Sequence, residues 1–215
     1  MIRAVLFDLD GTLADTAPDL GHALNLQLQR YNRAPLPIAA VRPHASAGSR
    51  GLLQLGFGIS PGDADFEAMR REYLALYDEN LCCETTLFPG VAELLSALEQ
   101  RAVAWGIVTN KPHRFTVPLV EQLGLAGRAG CVVSGDTVPR AKPHPDSLLK
   151  ASSDLGIAPA EAIYLGDDER DTQAARAAGM RSVIAGYGYL GDGSRPETWG
   201  AEAIIGHPAE LLNYL

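Results

Sequence analysis

The amino-acid sequence predicts an α/β fold: a doubly wound parallel sheet with an inserted all-helical domain. Three observations support this prediction. A short apolar run, Ala4 to Phe7, opens the chain and stops at two acids. Apolar residues at helical spacing follow, and from Gly90 onwards short apolar runs alternate with amphipathic helices. Such alternation is typical of a parallel sheet with helices on both faces. We therefore expect a core domain of residues 1–15 and 83–215, and a helical insertion, the cap, of residues 16–82.

In the first half of the chain, one strand and two helices can be assigned. The opening apolar run is typical of a buried parallel strand. Residues 18–31 carry apolar side chains at helical spacing, and Asp15 or Thr16 is a plausible N-cap for that helix. Residues 35–61, which contain several glycines, serines and prolines, predict only short pieces. A second cap helix is expected at about residues 65–80.

The second half of the chain predicts a regular succession of strands and helices. Helices are expected at 91–99, 115–123, 145–155 and 171–178, and after Pro208. Strands are expected at 103–108, 131–134, 162–165, 181–185 and 203–205. If these strands are parallel, the residues that follow each strand share one rim of the sheet.

Size, charge and cysteine content limit the possible functions. The 215 residues, 47% of them hydrophobic, suffice for a core and a small second domain. A net charge of −8 argues against a nucleic-acid or anionic-membrane partner, which would require a basic surface. The three cysteines fit neither a disulfide framework nor a zinc site and predict a cytoplasmic location. We expect neither a signal peptide nor a membrane span.

The first strand ends in a pair of acids, Asp8 and Asp10. Because successive strand residues point in opposite directions, the two carboxylates lie on the same side, with Leu9 turned away. Two negative charges at such a short distance repel each other strongly unless a cation lies between them. The alternative is a solvated acidic turn, since Asp and Gly are ordinary turn residues.

Two later strand ends carry groups suited to bind an anion. Thr109 and Asn110 follow one strand and, with backbone amides at a helix start, can form an oxyanion cradle, although Thr109 can also be a simple helix cap. Lys142 lies in a segment stiffened by Pro143 and Pro145 and can neutralise a phosphate or a carboxylate. A surface lysine before a helix is the alternative interpretation.

A third strand end is strongly acidic. Residues 166–171 contain four acids, and a hard divalent cation such as Mg²⁺ would relieve their repulsion. We predict that Asp167 binds the metal directly and that Asp171 accepts a hydrogen bond from metal-bound water. Asp168 and Glu169 can equally belong to a solvated helix start.

Taken in order, these strand-end motifs resemble those of the haloacid dehalogenase superfamily. The Phe7-Asp8-Leu9-Asp10-Gly11-Thr12-Leu13 stretch is the most specific part, followed by Thr-Asn, Lys-Pro and Gly-Asp-Asp-x-x-Asp. The likeness covers the whole chain and is strongest to Mg²⁺-dependent phosphatases with a Rossmann-like core and a helical cap inserted after the first motif. The resemblance implies phosphomonoester hydrolysis through an aspartyl-phosphate.

The resemblance also implies roles for individual residues. Asp8 would be the nucleophile and Asp10 the general acid and then the base. An Asp8 oxygen, the backbone carbonyl of Asp10 and Asp167 would hold Mg²⁺. The transferring phosphoryl group would be bound by Thr109, Asn110 and Lys142.

Substrate choice is expected to come from the cap. Gly11 and residues 81–85 link the cap to the core and would act as hinges. Our candidate for the specificity segment is residues 44–51, in which Arg50 would clamp a substrate carboxylate, with a surface arginine at a helix start as the alternative. The chain resembles phosphoglycolate phosphatases in its first motif. In Trp105-Gly106 and Tyr187-Gly188-Tyr189, among other segments, it resembles N-acetylmuramic acid 6-phosphate phosphatases.

The sequence therefore predicts a magnesium-dependent phosphatase that acts, as a monomer or homodimer, on a small acidic phosphometabolite. A phosphosugar mutase on the same scaffold is an alternative reaction. A phospho-accepting signalling module is the alternative from another class, but such modules place their acceptor acid after a middle strand and lack the helical insertion. The glycine-rich loop at residues 186–191 superficially suggests a dinucleotide site, but no long helix follows it, and we interpret it as a loop near the rim of the site.

Overall fold

The computed structural model describes all 215 residues. Its strands are β1 (Ala4–Phe7), β2 (Ala14–Asp15), β3 (Thr86–Leu87), β4 (Ala104–Val108), β5 (Cys131–Val133), β6 (Ala162–Gly166), β7 (Arg181–Ala185) and β8 (Ala203–Ile205). Its α-helices are α1 (Ala17–Arg30), α2 (Ile38–Val41), α3 (Gly48–Phe57), α4 (Phe66–Glu79), α5 (Val91–Gln100), α6 (His113–Gln122), α7 (Asp146–Asp154) and α8 (Glu169–Ala178). Short 3₁₀ helices lie at Arg42–Ala47, Pro159–Glu161, Pro196–Thr198 and Pro208–Tyr214.

Six strands form one parallel sheet in the order β5-β4-β1-β6-β7-β8. In the register of the two strands that flank β1, Phe7 lies opposite Ile107 of β4 and Leu165 of β6. The three strands therefore end at nearly the same level, which brings the residues after each of them to a single rim. The predicted parallel α/β core is confirmed.

Both faces of the sheet are covered by helices. Val5 and Phe7 of β1 pack into one apolar cluster with residues of α5 and α6, while Ala4 and Leu6 pack into another with residues of α7 and α8. All four β1 side chains are buried, because alternate residues point to opposite faces and each face is covered. This is the doubly wound arrangement that the sequence predicts.

Helices α1 to α4 pack against one another in a separate apolar cluster that includes Leu24, Leu52 and Tyr73. Two residues from the rest of the chain, Phe115 and Tyr189, join this cluster. The chain enters and leaves the helical region through β2 and β3, which pair antiparallel. The sequence does not predict this two-stranded ribbon, and the domain boundaries at 15/16 and 82/83 stay a prediction.

Residues 35–61 are more regular than their sequence predicts. They contain the ten-residue helix α3, despite glycines at its start and within it, together with α2 and the 3₁₀ helix at 42–47. Glycine lowers intrinsic helix propensity, but Leu52 and Leu53 are fully buried in the cap cluster, and this tertiary packing outweighs it. None of the helices combines the length and apolar character needed to cross a bilayer.

Candidate active site

A cavity of about 490 Å³ lies between the carboxyl ends of the core strands and the cap. The core contributes Asp8, Asp10 and the Thr109 to Pro112 segment, and the cap contributes residues 45–50 and the α4 face around Tyr73. Ligands of open α/β sheets bind at this edge, so the cavity is the candidate active site.

Asp8 extends from the end of β1 and is almost buried, with 8% of its surface exposed. Its Oδ1 accepts a hydrogen bond from the backbone N–H of Leu9 at 2.8 Å and lies 3.0 Å from Nζ of Lys142. Its other oxygen, Oδ2, takes no hydrogen bond from the protein. Burial raises the pKa of Asp8 to about 7; Lys142 opposes the rise, and the nearby Asp171 and Asp10 carboxylates add to it. One oxygen is thus fixed while the other is available to a ligand.

The ammonium group of Lys142 is buried among oxygens. Besides Asp8 it contacts Oδ1 of Asp171 at 2.6 Å, the hydroxyl of Tyr164 at 2.7 Å and the carbonyl of Val108 at 3.2 Å. Burial lowers the pKa of Lys142, but the two carboxylates outweigh burial and the net shift is upward. Lys142 therefore stays charged and lies on the cavity wall beside Asp8.

Three buried carboxylates form a group that can hold a metal ion. One oxygen each of Asp8, Asp167 and Asp171 lie within 4.8 Å of one another. Burial, together with the Asp8 and Asp171 charges, raises the pKa of Asp167 well above its usual value. A single ammonium cannot neutralise three carboxylates, and oxygen donors of this kind suit a hard divalent cation. The residues present fit such an ion.

Asp167 is wholly buried and surrounded by hydrogen-bond donors. The hydroxyl of Thr12 donates to Oδ1 at 3.2 Å, and Oδ2 accepts from the Ser46 hydroxyl at 2.8 Å and from the backbone N–H of Tyr189 at 2.9 Å. Ser46 belongs to the cap, so a cap residue directly contacts the predicted metal ligand.

Asp10 lies beside Asp8 on the cavity wall, and a second buried lysine holds it. Its Oδ1 accepts from the Thr16 hydroxyl at 2.6 Å and from Nζ of Lys111 at 2.8 Å. The Lys111 ammonium also lies over the ring of Tyr77, 4.7 Å from the ring centroid. The carboxylate of Asp10 is thus turned towards Lys111, and it is not part of the acidic cluster.

Thr109 and Asn110 follow β4 at the same rim. The Thr109 hydroxyl accepts a hydrogen bond from the backbone N–H of Lys111 at 3.1 Å. The Asn110 side chain pairs with the backbone of Lys142 in both directions, each bond 2.9 Å long. Asn110 therefore positions the Lys142 segment, and phosphate binding by Thr109 and Asn110 stays a prediction.

Arg50 and Asp171 occupy different environments. Arg50 is exposed on α3 at the cavity wall, and its role in substrate binding stays a prediction. Asp171 is buried; its Oδ1 forms an ion pair with Lys142, and its Oδ2 accepts a hydrogen bond from the backbone N–H of Asp168. Its role towards metal-bound water also stays a prediction.

Several residues of this site were not predicted from the sequence. Lys111 lies in the same strand-end motif as Thr109, so the motif could have predicted that Lys111 lies at the site. Ser46 lies in the segment 44–51 that was expected to set specificity, but its contact with Asp167 was not predicted. Like the contact of Tyr164 with Lys142, it joins distant parts of the chain and is visible only in three dimensions.

The motifs and the geometry agree with the comparisons to known proteins. A family model described as haloacid dehalogenase-like hydrolase matches residues 5–185. The chain belongs to this family. The hydrolase is 40% identical over 214 residues to N-acetylmuramic acid 6-phosphate phosphatase of Pseudomonas aeruginosa, covering 100% of this chain and 95% of that protein. It is 44% identical over 210 residues to phosphoglycolate phosphatase of Xanthomonas campestris, covering 97% of this chain and 94% of that protein.

A solved structure has the same fold as this chain. A protein from Haemophilus somnus, described as a predicted phosphoglycolate phosphatase, superposes on the hydrolase with a TM-score of 0.84. It is 26% identical, and the match covers 99% of this chain and 97% of that chain. The hydrolase is a phosphatase of the haloacid dehalogenase-like family that acts on small phosphate esters, as the motifs predict.

Proposed function

We propose that this phosphatase hydrolyses phosphate monoesters of a small acidic metabolite, with Asp8 as the nucleophile. The observation that carries the proposal is the placement of Asp8: its Oδ1 is fixed by Leu9 and Lys142, while its Oδ2 is free at the cavity wall. The names of both groups of relatives denote phosphorylated carboxylic acids, which supports an acidic substrate. A phosphoglycolate-like substrate is our first candidate and N-acetylmuramic acid 6-phosphate the second.

In the first step, Oδ2 of Asp8 forms a bond to phosphorus and the bond from phosphorus to the ester oxygen breaks. The departing oxygen takes a proton from Oδ2 of Asp10, while Thr16 and Lys111 hold the other oxygen, Oδ1, in place. Lys142 neutralises negative charge beside Asp8, where the phosphoryl oxygens would lie.

In the second step, water attacks the phosphorus of the aspartyl-phosphate and loses a proton to Asp10. The bond between phosphorus and Oδ2 of Asp8 breaks, which releases inorganic phosphate and restores the enzyme. Two moderate barriers thus replace one high barrier.

Magnesium fits this scheme as the cofactor. Asp8, the backbone carbonyl of Asp10 and Asp167 would hold the ion, and the buried, under-neutralised carboxylates support this assignment. When bound, Mg²⁺ supplies positive charge that stabilises the oxygens of the transferring group.

We propose that the cap, residues 16–82, moves on its two links to admit substrate and then to exclude water. Arg50 would face the substrate carboxylate from the cap side of the cavity. The three free cysteines support a reducing, cytoplasmic setting, in which the enzyme would act as a monomer or homodimer.

Asp8→Asn tests the proposal. With Mg²⁺ present, we expect the wild-type protein to release phosphate steadily from 2-phosphoglycolate or from N-acetylmuramic acid 6-phosphate. The variant should lose at least about a thousandfold in kcat, because an amide cannot attack phosphorus. Asp154→Asn, at an exposed acid, is the matched control and should retain full activity. Equal turnover by Asp8→Asn would refute the assigned nucleophile, and a stable phosphoprotein without turnover would favour the signalling alternative.

A further inference from the structure

One segment of the cap contacts the acidic segment 166–171 of the core at two points. This segment is the 3₁₀ helix Arg42–Ala47, and both contacts involve Ser46. The Ser46 hydroxyl donates to Oδ2 of Asp167 at 2.8 Å. The Ser46 backbone carbonyl accepts from Nη2 of Arg170 at 2.8 Å. A single cap residue is thus held by two core residues that lie three positions apart.

The Arg170 side chain is fixed from the core side. Its Nε and Nη2 donate to the two oxygens of Asp168 at 2.7 and 2.8 Å, a two-point pairing that sets the plane of the guanidinium. Asp168 is itself anchored, because its Oδ1 accepts from the backbone N–H of Arg170 and caps α8. With its plane fixed, the guanidinium still has a donor directed at the Ser46 carbonyl.

The chemistry of arginine is needed for this arrangement. The planar fork can pair with a carboxylate at two points and donate to a third acceptor at the same time. A lysine ammonium in this place could pair with Asp168 but lacks the fixed geometry to hold Ser46 as well. Arg170 also lines the catalytic cavity next to Asp171, so the contact lies at the edge of the site.

We propose that Arg170 is a positioning residue that latches the cap over the active site. The Arg170–Ser46 bond holds the 42–47 segment closed, and closure places the Ser46 hydroxyl on Asp167. Substrate exchange then requires this bond to open. The inference rests on the proposed function for its catalytic consequence, but the latch itself is a property of the cap–core contact.

Arg170→Gln tests the latch by two independent readouts. Loss of a charge-assisted hydrogen bond should lower kcat/KM by about tenfold or more, since the closed form becomes less populated. Backbone amides of residues 42–51 should exchange with deuterium at least about tenfold faster, while those of β1 and β6 exchange at wild-type rates. Arg176→Gln, at an exposed position of the same helix, is the matched control and should change neither quantity.

A second variant separates the latch from a local role of Arg170 in α8. Ser46→Ala removes only the hydroxyl contact with Asp167 and keeps the carbonyl. If Arg170 holds Ser46 in place, Ser46→Ala should lower kcat/KM in the wild-type background but have little further effect in Arg170→Gln. Should Arg170→Gln fold poorly, Arg170→Lys keeps a charge beside Asp168 and should give the same two changes.

Two outcomes overturn the proposal. One is wild-type exchange of residues 42–51 in the Arg170 variants, whatever happens to kcat/KM, because Arg170 would then act without closing the cap. The other is full additivity of Ser46→Ala and Arg170→Gln. If the wild-type protein hydrolyses no phosphate ester, the proposed function fails, while the exchange comparison still decides whether the latch exists.

Discussion

Lys142 carries the ammonium group that contacts both Asp8 and Asp171. Without it, the buried carboxylates would face one another with no compensating positive charge. Burying an ion pair contributes little net stability, but removing one partner leaves the other charge buried and unpaired. The candidate active site therefore depends on this one cation to balance the charge of its buried carboxylates.

Lys142→Met should destabilise the protein by about 3–5 kcal/mol, because the methionine fills the space but leaves the carboxylates unpaired. Urea unfolding followed by circular dichroism measures this loss. Lys150→Met is the control: Lys150 forms an exposed pair with Asp154 and should change stability by no more than about 0.5 kcal/mol. A loss below about 1 kcal/mol for Lys142→Met would contradict the argument.

Single residues were predictable where the strand pattern fixes their place. Asp8, Asp10, Thr109 and Asp167 each come at or just after the end of a β-strand, and a parallel sheet brings such positions to one rim. Their partners were not predictable in this way. The sequence does not show that the Asn110 side chain forms hydrogen bonds with the Lys142 backbone, because these bonds depend on how two loops pack.

At the scale of elements, the loop after β7 packs against the turn after β1. Gly188 lies so close to this turn that a Cβ would overlap the carbonyl oxygen of Gly11 and the Cβ of Asp167. The neighbouring backbone N–H of Tyr189 donates to Asp167. The glycine-rich loop thus serves close packing around Asp167, in agreement with its interpretation as a loop near the rim of the site.

Gly188→Ala should lower stability by about 1–3 kcal/mol, since the Gly11 carbonyl oxygen and the Asp167 Cβ, neither of which is the end of a flexible side chain, oppose the added methyl group. It should also reduce phosphate release, because relief of the overlap displaces Asp167. Gly127→Ala is a suitable control, as no heavy atom lies within 4 Å of its added Cβ. Denaturant midpoints of the two variants give the comparison, and equal midpoints would count against this packing.

Elements were predictable where hydrophobic periodicity and packing agree. The strands flanking β1 and the helices after them follow the predicted order, because their apolar residues are spaced for burial on a sheet. The short ribbon β2–β3 was not predictable, since two-residue strands show no hydrophobic periodicity. Thr16 stands at the N-cap of α1 as expected, but its side chain does not cap the helix, because its hydroxyl donates to Asp10 instead.

At the scale of the whole molecule, Tyr189 joins the cap to the core. Its ring lies in the cap cluster, although its backbone belongs to the loop between β7 and β8. Its hydroxyl donates to Asp15 at 2.9 Å and accepts from the backbone N–H of Ala17 at 2.8 Å. One side chain therefore secures the point at which the chain passes into α1.

Tyr189→Phe keeps the ring and removes both hydroxyl contacts, leaving the Ala17 N–H without its partner. We expect a loss of about 1–3 kcal/mol in unfolding free energy. Amides at the start of α1 should also exchange faster with deuterium. Tyr214→Phe, at a partly exposed tyrosine near the chain end, should leave both quantities unchanged. Wild-type exchange at the start of α1 in Tyr189→Phe would show that the hydroxyl does not secure the link.

The ribbon β2–β3 places the two ends of the helical insertion next to each other, with Ala14 opposite Leu87 and Asp15 opposite Thr86. A folded segment whose ends are already neighbours holds the two host strands together, and the entropic cost of closing an insertion grows only slowly with its length. The size of the helical insertion should therefore have little effect on the folding of the core. A chimaera that exchanges these helices between two relatives at the ribbon should keep the chemistry of one parent while adopting the substrate preference of the other.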